Sequence, residues 1–151
     1  MNIFVPQSIQ SMIELSEIAD VKRQLISPRM STPIIGLVQD GILGAYNLTA
    51  PSIKIDWRDA MNIISYTTID DLTLIKKNTE YSGASLFSLI IPSKINISNN
   101  NIEIKEGELT RGQITNVQIG AKKKNSIIHL IWDEYGMDKA KEFIDNTTAC
   151  T

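Results

Sequence analysis

The sequence predicts an α+β domain with substantial sheet, and three observations carry that expectation. Isoleucine fills about one position in six, and β-branched apolar residues at that density favour strands. Short stretches such as "SIKI" and "IEIK" alternate apolar with polar residues, the period of a half-buried strand. Elsewhere apolar residues recur at helical spacing behind capping residues, as in Asp56 before "WRDAMNIISY" and Ser126 before "IIHLIWDEY". The 151 residues are 42% hydrophobic and 21% charged, which is a globular composition and about one domain of length.

The elements follow in chain order. "MNIFVP" sets Met1, Ile3 and Val5 against Asn2 and Phe4, a strand pattern closed by Pro6. Ser8 to Ala19 reads as a helix, with Ile9, Met12 and Ile13 in register and Ser11 with Glu14 forming a capping box. "ISPRMSTP" is turn material between Pro28 and Pro33. "IIGLVQD" reads as a buried strand with a bulge or close backbone approach at Gly36. Gly41 and Gly44 make "GILGAYNLT" a flexible stretch. "SIKI" is a strand, and Trp57, Ala60, Met61 and Ile64 share one face of the helix behind Asp56.

"TTIDDLTLIKKNTEY" has no clean period. "SGASLFSLIIP" begins with a turn and ends at Pro92, with Leu86, Leu89 and Ile90 on one face of a short helix. "INISNNNIEIKEGELTRGQI" holds strands around two turns, "SNNN" and "KEGE". The helix behind Ser126 stops at Gly136, and Asp138 caps a final helix with Ala140, Phe143 and Ile144 inward.

Charge and cysteine usage exclude several functions. Fifteen Lys and Arg against 17 Asp and Glu leave a net charge of −2, so there is no overall basic footprint for nucleic acid. One cysteine, Cys150, and one histidine, His129, cannot build a Cys/His zinc site. No apolar run approaches the roughly 18 residues of a membrane span, and the N-terminus lacks a signal-peptide pattern. An intracellular protein without membrane contact is the expectation.

Candidate chemistry is sparse. His129 has apolar neighbours and no orienting partner in the pattern, so a structural role is expected. Asp70-Asp71 and Asp133-Glu134 are adjacent acidic pairs whose members do not face each other, and they read as caps or solvated residues. Lys122, Lys123 and Lys124 precede a helix. They are read as a solvated charge run, with a nucleic-acid or partner contact as the functional alternative. No phosphate-binding glycine loop is present.

Four segments in order carry a family resemblance: "MNIFVPQS", "ISPRMSTPIIGLVQDGILGAYNLT", "SGASLFSLIIP" and "GELTRGQITNVQIGAKKKNSIIHLIWDEYGMDKAKEFID". Together they resemble the largest subunit of multisubunit DNA-directed RNA polymerases of the archaeal, eukaryotic and large-DNA-virus branch. The resemblance spans nearly the whole chain and is weakest from about Ser52 to Tyr81. It implies the C-terminal part of a double-psi β-barrel over residues 1–49, followed over 50–151 by a mixed strand and helix pore domain, also called domain three.

The resemblance implies a role as well. In the family, magnesium is held by aspartates of a NADFDGD loop immediately before the segment that matches Met1 and Asn2. The Mg²⁺ of the assembled enzyme is therefore expected on residues outside this chain, with no catalytic, metal or cofactor ligand within it and no activity of the chain alone. The segment is expected to support that loop from behind. It also lines the pore through which nucleoside triphosphates enter and backtracked RNA leaves. Pro6 and Gln7 lie in the strand leaving the loop, within Val5–Ser8. Pro33, Gly36, Gln39 and Asp40 match a P-x-x-G-x-x-Q-D pattern and are the expected active-centre support.

The implied partners are the rest of the largest subunit, the second-largest and other polymerase subunits, template DNA, RNA and a transcript-cleavage factor. The setting is nucleus, cytoplasm or virion according to source. The chain departs from the family at Ser31, where Asn is common. It also departs at Ala84 and Ser85, where Lys-Gln often follows Ser-Gly, and in its longer lysine run. The alternative is a free-standing polymerase-derived module that binds protein or nucleic acid without catalysis. With strand edges of residues 1–49 open, the isolated chain is expected to be marginal, oligomeric or aggregation-prone.

Overall fold

The structure is a computed structural model that describes residues 3–69, 71–99 and 101–151. It is mixed α+β. In chain order the elements are α1 (Ile9–Glu17), a 3-10 turn (Val21–Gln24), α2 (Asp40–Leu48), β1 (Lys54–Ile55), α3 (Trp57–Ser65), a second 3-10 turn (Leu72–Leu74), β2 (Tyr81–Ser82), α4 (Gly83–Ser88), β3 (Ile97–Asn99), β4 (Ile102–Lys105), β5 (Glu108–Arg111), α5 (Asn116–Ile119), α6 (Ile127–Tyr135) and α7 (Met137–Cys150). Among the described residues there are two small antiparallel sheets. β1 pairs with β2, and β3, β4 and β5 form a three-stranded meander.

The main core gathers around Phe87 and Phe143, whose rings meet edge to face at 6.4 Å. Ile102 and Ile104 reach it from β4 and Ile127, Ile128 and Ile131 from α6, all almost fully buried. A second cluster joins Ala60 and Ile64 of α3 to Ile75 and Leu86. Trp57 and Met61 pack against it, so the predicted inward face of α3 holds. Asp56 caps that helix as expected, accepting from the Arg58 N–H. Ser126 caps α6 by accepting from the His129 N–H. Both turns of the β3–β4–β5 meander fall at the "SNNN" and "KEGE" segments, although Asn100 lies outside the described residues.

Several expectations are corrected. The N-terminal strand does not form over the described residues 3–7, and Met1 and Asn2 lie outside them. Ile3, Phe4 and Val5 are instead exposed, and among the described residues no strand lies alongside to pair their backbone groups. Among the described residues up to 49 there is no strand, and the expected barrel is not seen. α1 is capped by Ser8, which accepts from the Ser11 N–H; a Ser11–Glu14 capping box does not form. "IIGLVQD" is not a strand but carries a single parallel bridge, Leu37 to Gly120. "GILGAYNL" is not flexible but helical, as α2. Asp138 is not a cap but sits in the first turn of α7 behind Gly136. Of the acidic pairs, Asp70 lies outside the described residues, while Asp71 accepts from the Thr73 N–H as a turn cap.

Candidate functional site

The residues singled out by sequence fall into three places. The best-defined is where the segment after Pro33 crosses the loop after α5. The Lys122 N–H donates to the Pro33 carbonyl at 2.7 Å, and the Leu37 N–H donates to the Ile119 carbonyl at 3.0 Å. Between these bonds Gly36 lies directly on the other strand of chain. A Cβ there would stand 2.6 Å from the Gly120 carbonyl carbon and closer still to the Ala121 nitrogen, so only glycine lets the two backbones approach. The close approach expected at Gly36 is therefore present without a bulged strand.

Pro33 is buried and bridges back to Ile26. The lysine loop turns sharply, with φ of +61° at Lys122 and +57° at Asn125. Its far end is held by the Asn125 N–H, which donates to His129 Nδ1 at 3.1 Å. His129 thus serves the loop as a structural acceptor, consistent with its sequence reading. Lys122 and Lys124 are exposed and Lys123 is half-buried.

Gln39 and Asp40 open α2 on the surface. Gln39 has φ +45° and ψ −111°, a corner that glycine prefers. It is held there by a turn in which the Gly41 N–H donates to the Val38 carbonyl at 3.1 Å. Such a conformation costs a non-glycine residue about 1–3 kcal/mol. The Gln39 carbonyl then accepts from the Ile42 and Leu43 N–H groups, starting the helix, and the Asp40 carboxylate sits at its positive end. Both side chains are exposed.

Pro6 and Gln7 lie apart from these, in the segment before α1. Gln7 Nε2 donates to the Val5 carbonyl at 3.2 Å. Pro6 lines an apolar groove with Phe4, Val5, Leu15 and Ile18. α1 itself buries no residue, and Ile9, Met12, Ile13 and Ile18 are all more than half exposed. An amphipathic helix with its apolar stripe in solvent is an uncovered face.

Two features went unread in the sequence. Thr115 and Gln118 form a full capping box on α5, a spacing of T-x-x-Q that was legible. Beside it, Ser98, Asn99, Asn101, Gln113, Thr115 and Gln118 line a polar cleft of about 440 Å³. An adjoining cleft shares Asn101 and Gln113 and adds Arg111. Carboxamides there offer donors and acceptors with no fixed charge beyond Arg111.

Among the described residues no three carboxylate, imidazole or thiol groups converge on one point. Among the described residues no set of carboxylates fits a magnesium site. Burial pushes the Cys150 thiol up to about 11, far from a reactive nucleophile. Among the described residues no helix is long and apolar enough to cross a membrane.

Comparison with known proteins agrees with the resemblance. The family described as RNA polymerase Rpb1, domain 3, matches residues 24–151. DNA-directed RNA polymerase subunit 1 of Acanthamoeba polyphaga mimivirus is 40% identical over 152 residues, covering 97% of this chain and 10% of that protein. The DNA-directed RNA polymerase II subunits RPB1-B and RPB1-A of Trypanosoma brucei brucei are each 31% identical over 166 residues, covering all of this chain and 9% of theirs. The chain thus spans about a tenth of the length of these curated relatives. It belongs to the family of RNA polymerase largest-subunit domain 3.

Proposed function

We propose that this chain acts as the pore-domain segment of a DNA-directed RNA polymerase largest subunit, working in transcription within an intracellular assembly. The likeness along residues 24–151, with 40% identity to the mimivirus subunit, carries this reading. Residues 1–49 belong to a double-psi barrel region that takes shape only against chain outside these residues, and residues 50–151 form the pore domain. The exposed apolar residues before and along α1 favour a covering surface supplied from outside these residues.

In this reading the chain is scaffold. Gly36, Pro33 and the loop at Lys122 form a rigid backbone crossing behind the catalytic loop, and Gln39 with Asp40 present polar groups at its end. Pro6 and Gln7 lead in from that loop. Carboxylates outside these residues would hold the magnesium ions, which would supply charge neutralisation in nucleotidyl transfer. Lys122, Lys123 and Lys124, with the polar cleft, offer contacts to nucleotide, RNA or a neighbouring subunit.

Co-expression with the upstream barrel polypeptide tests the proposal. A stable complex is expected, with a thermal midpoint above that of either piece and templated RNA synthesis once the remaining subunits are added. Equal midpoints with and without the upstream piece would overturn it.

A further inference from the structure

A groove outside the residues discussed so far separates the second apolar cluster from the tip of the β4–β5 hairpin. Its apolar side is built by Leu74, Tyr81, Leu86, Leu89 and Ile91, and its cavity volume is about 360 Å³. Among the described residues the charged side chains lining it are Glu106 and Glu108. Neither carboxylate is in an ion pair among the described residues, since the cross-strand Lys105 is taken by Glu103 at 2.8 Å.

The two acidic residues are held in place. Glu106 and Gly107 both have positive φ, +49° and +80°, as a two-residue hairpin turn of this hand requires. The tip is clamped to the body by three bonds. The Gly107 N–H donates to the Ile95 carbonyl at 3.0 Å, the Glu106 N–H to Asn96 Oδ1 at 2.9 Å, and the Leu109 N–H to Ser88 Oγ at 2.9 Å. Gly107 is buried against the Ile91 and Pro92 carbonyls. The groove therefore presents its apolar floor on a backbone that needs no reordering, with two exposed carboxylates at its rim.

We propose that this groove docks a short segment of a partner protein that carries an apolar side chain flanked by lysine or arginine. The apolar side chain fills the space over Leu86 and Leu89, and the basic groups meet Glu106 and Glu108. Charge complementarity selects this occupant over an acidic or purely apolar one.

The test is an amide-resolved NMR titration of the full chain with two capped pentapeptides, Lys-Leu-Lys-Leu-Lys and Glu-Leu-Glu-Leu-Glu. The basic peptide is expected to shift Ser85, Leu89 and Gly107, and the acidic one is not. Glu106→Gln with Glu108→Gln should weaken binding by about fivefold or more at low salt, with an otherwise unchanged spectrum. Ser85→Phe, which fills the groove from an exposed position, should abolish it. Equal response to both peptides, full affinity in the double variant, or shifts mapping to α1 instead would overturn the proposal.

Discussion

Lys122 and Pro33 are joined through their backbones, the N–H of one donating to the carbonyl of the other at 2.7 Å. The bond ties the start of the P-x-x-G-x-x-Q-D segment to the start of the lysine loop, and it uses no side chain of either residue. The exposed side chains of Lys122 and Lys124 thereby stand on a loop whose backbone is held at this point. Lys122→Asn, which tolerates the positive φ and keeps the N–H, should change charge without moving the crossing, leaving the urea midpoint near that of the parent.

Gly36→Ala tests that crossing. Its new methyl would meet backbone atoms of Gly120 and Ala121, which cannot rotate away, so a loss of at least about 2 kcal/mol is expected. Gly41→Ala is the contrast. Its nearest neighbour is a side-chain atom, Leu37 Cδ2 at 3.1 Å, which can give by a few tenths of an ångström where backbone cannot, and alanine is the better helix former by about 0.5–1 kcal/mol. Urea denaturation of both variants should show the first strongly destabilised and the second near neutral.

Thr49 is buried at the end of α2, where its hydroxyl donates to the Ala45 carbonyl at 2.8 Å and accepts from the Ile114 N–H at 3.0 Å. Thr49→Val keeps the shape and orphans the Ile114 N–H in the core, for an expected cost of about 1–3 kcal/mol. Thr49→Ser should recover much of it. Equal stability of the valine and serine variants would show that the hydroxyl does not matter.

The Lys22–Asp138 ion pair, at 2.8 Å, ties the first 3-10 turn to α7. The hydrogen bond and charge of Lys22 hold the Asp138 carboxyl below its ordinary range, and the hydrogen bond and charge of Asp138 raise Lys22. The carboxylate's contribution is present above its unfolded value and is lost as pH falls through its lowered folded one. The amine's contribution is present below its unfolded value and is lost as pH rises through its raised one. Asp138→Asn should therefore bring its thermal midpoint towards that of the parent only at strong acid or strong alkali. A constant difference across pH would assign Asp138 a role other than this pair.

Cys150, half-buried at the end of α7, should resist alkylation at pH 8. With its pKa pushed to about 11 by burial, the thiolate fraction falls about a hundredfold relative to an ordinary thiol. Rapid labelling of the native chain, at the rate seen in denaturant, would mean that this end of α7 is open.

Much of the chain from Asp56 onward was legible because its elements satisfy themselves locally. The meander around "SNNN" and "KEGE" pairs residues a few positions apart. α3 and α6 each carry their own cap and apolar face. α2 was misread because Gly41 and Gly44 count against a helix in isolation. At Gly44 the small residue instead admits Thr151, whose Cβ would lie 2.6 Å from any added methyl, and that contact is known only once α7 is in place. The strand expected at "IIGLVQD" reduced to one bridge because Gly120, eighty-odd positions on, offers a single pairing partner.

By itself the sequence determined the α+β class, the caps at Asp56 and Ser126, the inward faces of α3 and α7, and a family resemblance confirmed over residues 24–151. Those depend on neighbours within a turn or two, or on residue identity alone. Only the tertiary structure decided that Gly36 packs on Gly120 and that Pro33 holds Lys122. The same holds for the apolar stripe of α1, which stays uncovered. Each of these depends on where distant backbone arrives, and backbone hydrogen bonds and close contacts leave no periodic mark in the residues that make them.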